Sequence, residues 1–130
     1  MSYIEASNLV KQYGSGDAAV FAVRDMSAAI EEGEFVAVMG ESGSGKSTLL
    51  SMMGALNTPT SGRLAVDGID VYALGPEQRA DFRREFLGFV FQSFHLIPYL
   101  TLAENVMLPL AVVKASRKDK RRMAEAALAR

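Results

Sequence analysis

The chain contains no cysteine. That excludes disulfides, cysteine-based zinc sites and thiol catalysis, and it fits a reducing compartment. A surplus of either charge is also lacking: 14 Lys and Arg face 15 Asp and Glu, for a net charge of -1. General nucleic-acid binders carry a basic face and a high pI, so no nucleic-acid partner is expected. No uninterrupted apolar run is long enough to cross a bilayer. The longest, residues 96–113, is broken by Pro98, Thr101, Glu104, Asn105 and Pro109. The opening Met1-Ser2-Tyr3-Ile4-Glu5 lacks the basic-then-apolar order of a signal peptide. We expect a cytoplasmic chain without direct membrane insertion, so any membrane role comes through a partner. Internal repeats and low-complexity segments are absent as well.

What is present suits a packed fold. The 130 residues are 49% hydrophobic and 22% charged, enough for one domain or part of one and too apolar for disorder. Gly40, Glu41, Ser42, Gly43, Ser44, Gly45, Lys46 and Ser47 run consecutively and fit G-x-x-x-x-G-K-[ST]. Glycine lets backbone curl so that successive N–H groups converge on an anion. A helix opening at the end of the loop adds unpaired N–H donors and a positive dipole end. The pattern predicts a nucleoside triphosphate with Mg2+. Lys46 reaches the β- and γ-phosphates, and Ser47 places its hydroxyl on the metal.

The motif needs a strand before it and a helix after it. Residues 34–39 form an apolar, β-branched run that reads as a buried parallel strand. In residues 47–56, Leu49, Met52, Met53 and Leu56 recur at helical spacing, with Asn57 as the stop. Elsewhere, residues 4–10 read as a first strand. Residues 20–30 read as an extended segment with Val23, Ala28 and Ile30 inward. Asp67-Gly68 is a hairpin turn signal. Pro76 opens a helix over 76–87, and residues 88–92 read as a second buried strand. Thr101 with Glu104, and Ser116 with Asp119, have capping-box spacing; the second helix is expected to reach Arg130. Arg117, Lys118, Lys120, Arg121 and Arg122 read as a solvated helix face, and His95 as a surface or interface side chain.

Several of these segments together carry a resemblance. Residues 40–50, including Thr48, resemble the Walker A segment of ABC-type ATPases. Pro59-Thr60-Ser61-Gly62 followed by Val66-Asp67-Gly68 is similar to that family's P-x-S-G hairpin. Residues 87–92 resemble the strand and glutamine of its Q-loop. Residues 96–106 resemble the L-x-P-x-L-T-x-x-E-N-V segment of the lipoprotein-releasing and macrolide-export branch. The resemblance implies an α/β fold: the N-terminal portion of a P-loop ABC ATPase core over residues 1–92, with an antiparallel β subdomain. The start of the helical subdomain would follow in 93–130. It implies ATP and Mg2+ as ligands, and phosphate binding by residues 40–48. Tyr13 would stack on adenine, and Gln92 would join Ser47 at the metal. It also implies membrane-spanning permease subunits and a second ATP-binding subunit as partners, with the chain peripheral on the inner face of the cell membrane.

The family's later motifs do not occur in these 130 residues. There is no L-S-G-G-Q string and no apolar run ending in Asp-Glu. In the family these supply the partner-site contact and the glutamate that polarises water, and a switch histidine contacts the γ-phosphate. The expectation is an N-terminal fragment that binds ATP without efficient hydrolysis and exposes the apolar edges of its two buried strands. Two other readings stay open. A small-molecule kinase or GTPase could use the same loop, although no N-K-x-D for guanine is present. A non-catalytic nucleotide-binding module would show the same residues.

Overall fold

A computed structural model of the chain describes residues 2–130. It divides into two units, Met1–Gly88 and Phe89–Arg130. The first is organised by four antiparallel strands: β1 (Ile4–Tyr13), β2 (Val20–Ile30), β3 (Ser61–Val66) and β4 (Ile69–Asp70), in the order β2-β1-β3-β4.

Period-two alternation along β1 would bury Ala6, Asn8 and Val10 on one face. The buried residues are Ala6 and Leu9 instead. Asn8 takes a left-handed backbone (φ 50), and the pairing with both neighbours shifts register beside it. This bulge moves the pattern by one residue and swaps a polar side chain for an apolar one in the core. Asp25 (φ 45) sits between Val23 and Met26 on β2 and shifts that strand alike. The polar groups that the bulge frees are satisfied: the Asn8 N–H donates to Ser27 Oγ at 2.9 Å, and Asn8 Nδ2 to Asp25 Oδ1 at 2.6 Å. Of the three inward positions read on β2, Val23 is buried, Ile30 half-buried and Ala28 exposed; Met26 is half-buried where Ala28 was expected.

Helices α1 (Lys46–Met53) and α2 (Pro76–Phe86) close the core over the sheet. Leu9, Met52, Leu64 and Val71 are wholly buried, with Phe82 of α2 beside them. Each buried leucine of this kind contributes about 1.5–3 kcal/mol. Asp67 and Gly68, both left-handed, make the two-residue turn into β4. Arg63 and Asp70 form a 2.8 Å ion pair across that hairpin, and Arg63 holds the Asp70 carboxyl below its ordinary range.

Two expected strands do not form. Residues 34–39 join no ladder, and Phe35 and Met39 are 96% and 88% exposed. Residues 88–92 join none either, and Val90 is fully exposed. A strand is defined by its hydrogen-bonded neighbour, and the four-stranded sheet recruits neither segment. Helix α1 stops at Met53 rather than at residue 56, where Gly54 and left-handed Ala55 (φ 56) turn the chain.

In the second unit, α3 (Leu102–Met107) runs into a 3-10 turn, Leu108–Val112, and α4 spans Arg117–Leu128, two residues short of the expected end. Thr101 Oγ1 accepts from the Glu104 N–H at 3.2 Å, and Glu104 accepts from the Thr101 N–H at 2.7 Å. This is the capping box read from the sequence. Ser116 caps α4 by accepting from the Asp119 N–H. Asn105 fastens the segment before α3. Its amide oxygen accepts from the Ile97 N–H at 2.7 Å, and its amide nitrogen donates to the carbonyls of Ile97, Leu100 and Thr101.

Candidate functional site

The loop before α1 is shaped by backbone that only glycine accommodates. Gly45, the residue preceding α1, has φ 97, and a Cβ placed on it would stand 2.0 Å from the Ala22 carbonyl oxygen of β2. No other residue fits there. The loop is therefore pressed directly onto the sheet, which fixes where α1 begins. A tight turn precedes it, closed by the Ser44 N–H donating to Glu41 O at 3.2 Å.

Gly45 has no side chain to cap α1, and no side-chain cap is made. The first helical hydrogen bond runs from Leu49 N–H to Gly45 O. The N–H groups of Lys46, Ser47 and Thr48 thus lie in the first turn, where a helix has no internal acceptors. The Lys46 ammonium folds back across the loop. It donates to Gly40 O at 2.7 Å, Glu41 O at 2.5 Å and Ser44 Oγ at 3.2 Å, using all three protons. Two carbonyls hold the cation on the loop's mouth, and the longest bond is the easiest to exchange for an anionic oxygen. Ser47 is exposed. Backbone donors, a cation and a hydroxyl therefore gather within nine residues, a set that suits a phosphate chain.

A cavity of about 500 Å3 lies beside the loop, between β2 and residues 38–40. Phe21, Val23, Met26, Val38, Met39 and Leu49 make much of its wall. Gly40, Ser44, Gly45 and Lys46 also line it, so the loop forms the polar side of this cavity. Apolar walls do not solvate a triphosphate, and only that polar side suits one.

Tyr13 ends β1 and is 47% exposed. Its hydroxyl accepts from Asn57 Nδ2 at 2.9 Å, and the Lys11 ammonium lies 5.2 Å from its ring centroid. Gln92 belongs to the second unit, where it is exposed in an irregular segment. The neighbouring Phe91 ring stacks on His95 at 4.7 Å and on Phe89 at 5.7 Å. Residues 40–48 are thus brought together with one another and with β2, whereas Tyr13 is joined to the residues that follow α1. Among the described residues no group of three His, Cys, Asp or Glu side chains could hold a metal. The Ser47 hydroxyl is a hard neutral donor, which suits Mg2+ shared with phosphate oxygens.

Tyr72 went unread in the sequence, and Arg79 and Arg83, which alternate with Glu77, Asp81 and Glu85 and so read as an exposed helix face, are half-buried. The Tyr72 hydroxyl shares its one proton between Met52 O at 2.5 Å and Asn57 O at 2.9 Å, at the end of α1. Arg83 Nη1 donates to Ala55 O at 2.8 Å, and Arg79 Nη1 to Thr58 Oγ1 at 2.9 Å. Burial pushes the Tyr72 hydroxyl up to about 12, against the pull of Arg79 and Arg83. These contacts span 15 to 28 residues of chain, and no local pattern announces them.

The family model described as ABC transporter matches residues 23–130. The lipoprotein-releasing system ATP-binding protein LolD of Geobacter metallireducens is 46% identical over 118 residues, covering 91% of this chain and 52% of that protein. The macrolide export ATP-binding/permease protein MacB of Neisseria meningitidis is 43% identical over 120 residues, covering 92% of this chain and 19% of that one. Among solved structures, the dimeric post-hydrolysis state of the ATP-binding cassette MJ0796 bound to ADP and Pi matches with a TM-score of 0.88 at 40% identity. That match covers 97% of this chain and 56% of the cassette. The chain spans about half the length of the first relative and of the cassette, and about a fifth of the second relative.

Proposed function

The chain belongs to the ABC transporter family, and from that membership we propose that residues 40–48 bind the phosphates of Mg-ATP while Tyr13 stacks on the adenine. The fold is that of the N-terminal portion of the family's P-loop ATPase core, and the chain carries the ATP-binding side of an ABC transporter. The observation that carries the ligand assignment is the uncapped start of α1, with Lys46 held across its mouth by Gly40 and Glu41.

In this reading Lys46 exchanges its Ser44 bond for a β- or γ-phosphate oxygen, and the N–H groups of residues 46–48 meet the anion. Ser47 would hold the Mg2+ through its hydroxyl. When bound, that metal offsets the negative charge between the β- and γ-phosphates. Residues 1–130 would bind the nucleotide without efficient turnover, since no apolar run ending in Asp-Glu lies within them to orient water. Two such ATP-binding chains act with membrane-spanning permease subunits, which keep the chain at the inner face of the membrane. Support comes from the dimeric cassette and from a relative named as both ATP-binding and permease. The likeness to lipoprotein-releasing and macrolide-export relatives favours export of lipidated or lipophilic cargo, chosen by the permease.

Calorimetric titration with Mg-ATP, Mg-ADP and inorganic triphosphate tests the assignment. Lys46→Ala should weaken all three by about tenfold to a hundredfold, the worth of one charge-assisted hydrogen bond. Tyr13→Ala should weaken ATP and ADP alike and spare triphosphate. Unchanged ATP binding by Lys46→Ala would remove the loop from the site.

A further inference from the structure

We propose that Asn57 is a positioning residue that locks the Tyr13 ring in place for a purine and ties it to the end of α1. The proposal deepens the reading of Tyr13 given above and rests on it.

Tyr13 is the last residue of its strand and pairs with Val20 at the strand's end. An exposed aromatic at such a place is free to turn about two side-chain bonds. Here it is not free. Asn57 Nδ2 donates to its hydroxyl at 2.9 Å. Lys11 covers one ring face, and its own ammonium is anchored on Thr58 O at 2.7 Å. A ring with its tip tied and one face covered offers a single face to a second flat ring.

The anchor is itself tied to its neighbours. The Asn57 carbonyl accepts from Tyr72, whose proton is shared with Met52 of α1. Arg79 lies over the Tyr72 ring, 5.7 Å from its centroid, and also holds Thr58. Asn57 therefore stands between a fixed block, residues 52–58, and a ring that would otherwise turn. The helix that carries Lys46 and Ser47 at its start carries the tether for Tyr13 just past its end. Both halves of the proposed nucleotide site are referenced to one rigid element.

Stacking on a mobile ring loses part of its worth to the ordering of that ring. A ring ordered beforehand loses less. The amide is suited to the task because it donates to the phenol oxygen. A carboxylate at 57 could take the phenol proton in return and keep the tie, and an aliphatic side chain could not.

The test titrates the full chain with Mg-ATP, Mg-ADP and inorganic triphosphate. Asn57→Leu and Tyr13→Phe should each weaken ATP and ADP by about threefold to tenfold, the worth of one hydrogen bond, and leave triphosphate unchanged. The double variant should be no weaker than either single one, because both cut the same tie. Asn57→Asp should stay within about twofold of the parent. Tyr13→Phe removes one exposed oxygen, so it reports even where Asn57→Leu fails to fold. Parental ATP affinity in Tyr13→Phe, additive losses in the double variant, or equal loss of triphosphate in Asn57→Leu would each overturn the proposal. Tyr13→Ala separates the two readings. If it binds ATP as the parent does, the stacking assignment itself fails. If it weakens ATP while Tyr13→Phe and Asn57→Leu do not, only the tether fails.

Discussion

Residues 64–66 and 35–39 are nearly the same kind of sequence: short and wholly apolar. Their fates are opposite. Leu64, Ala65 and Val66 pair with β1 and are 0%, 6% and 2% exposed. Phe35, Val36, Val38 and Met39 have no ladder, and Phe35 is 96% exposed. Composition supplies the same hydrophobic drive to both. What differs is whether a neighbouring backbone is on hand to take up the N–H and C=O groups. β3 has β1, which lies against it through long antiparallel pairing. The segment before the phosphate-type loop has no such ladder, and the loop it leads into meets β2 at Gly45 and Ala22.

The contrast can be broken or sharpened by substitution. The largest effect should come from Leu64→Ala, which empties a wholly buried site and should cost about 2–5 kcal/mol in urea unfolding. An unshifted midpoint would mean that β3 is not core. Next is Gly45→Ala, at the place where the loop meets β2. Its strained backbone and the clash with Ala22 should cost about 1–3 kcal/mol and weaken ATP binding together. Loss of stability with ATP affinity intact would separate the sheet from the loop.

Tyr72→Phe should cost about 1 kcal/mol near neutral pH through the lost bond to Met52 and Asn57. Its pH signature is more telling. The hydroxyl is raised from 10.0 to about 12 by burial. A raised value means that the stabilisation is whole below pH 10 and is lost as pH climbs through about 12. Thermal melts of the parent should therefore fall across that window, and those of Tyr72→Phe should fall less. The smallest effect belongs to Phe35→Ser, within about 0.5 kcal/mol of the parent. A cost on the scale of Leu64→Ala would show that residues 35–39 are covered in solution.

Much of the fold was legible because its cues are local. The Asp67-Gly68 turn, Pro76 at the start of α2, and the Thr101 and Ser116 caps each follow from a residue type acting on its own backbone. The loop at residues 40–48 was legible for the same reason. Strands 34–39 and 88–92 were misread because apolar runs state a wish to be buried and say nothing of the partner. The Asn8 and Asp25 bulges escaped notice because a left-handed residue inside an alternating pattern leaves the composition unchanged. Asn57 read only as a helix stop. Its bond to Tyr13 spans 44 residues, and only the assembled sheet and helix bring the two together.

Gly62 crosses β1 at the bulge with φ 99, and a Cβ on it would stand 2.4 Å from Asn8 O and 2.7 Å from Leu9 Cα. Both obstacles are main chain, so no exchange of side chains on the neighbouring strand can make room. The irregularity that hides a leucine in β1 thus commits a second position, more than fifty residues downstream, to one amino acid. Descendants of this chain can vary residue 8 among those that accept its twist. They cannot vary residue 62 without first ironing out the strand beside it, which would turn Leu9 to the solvent.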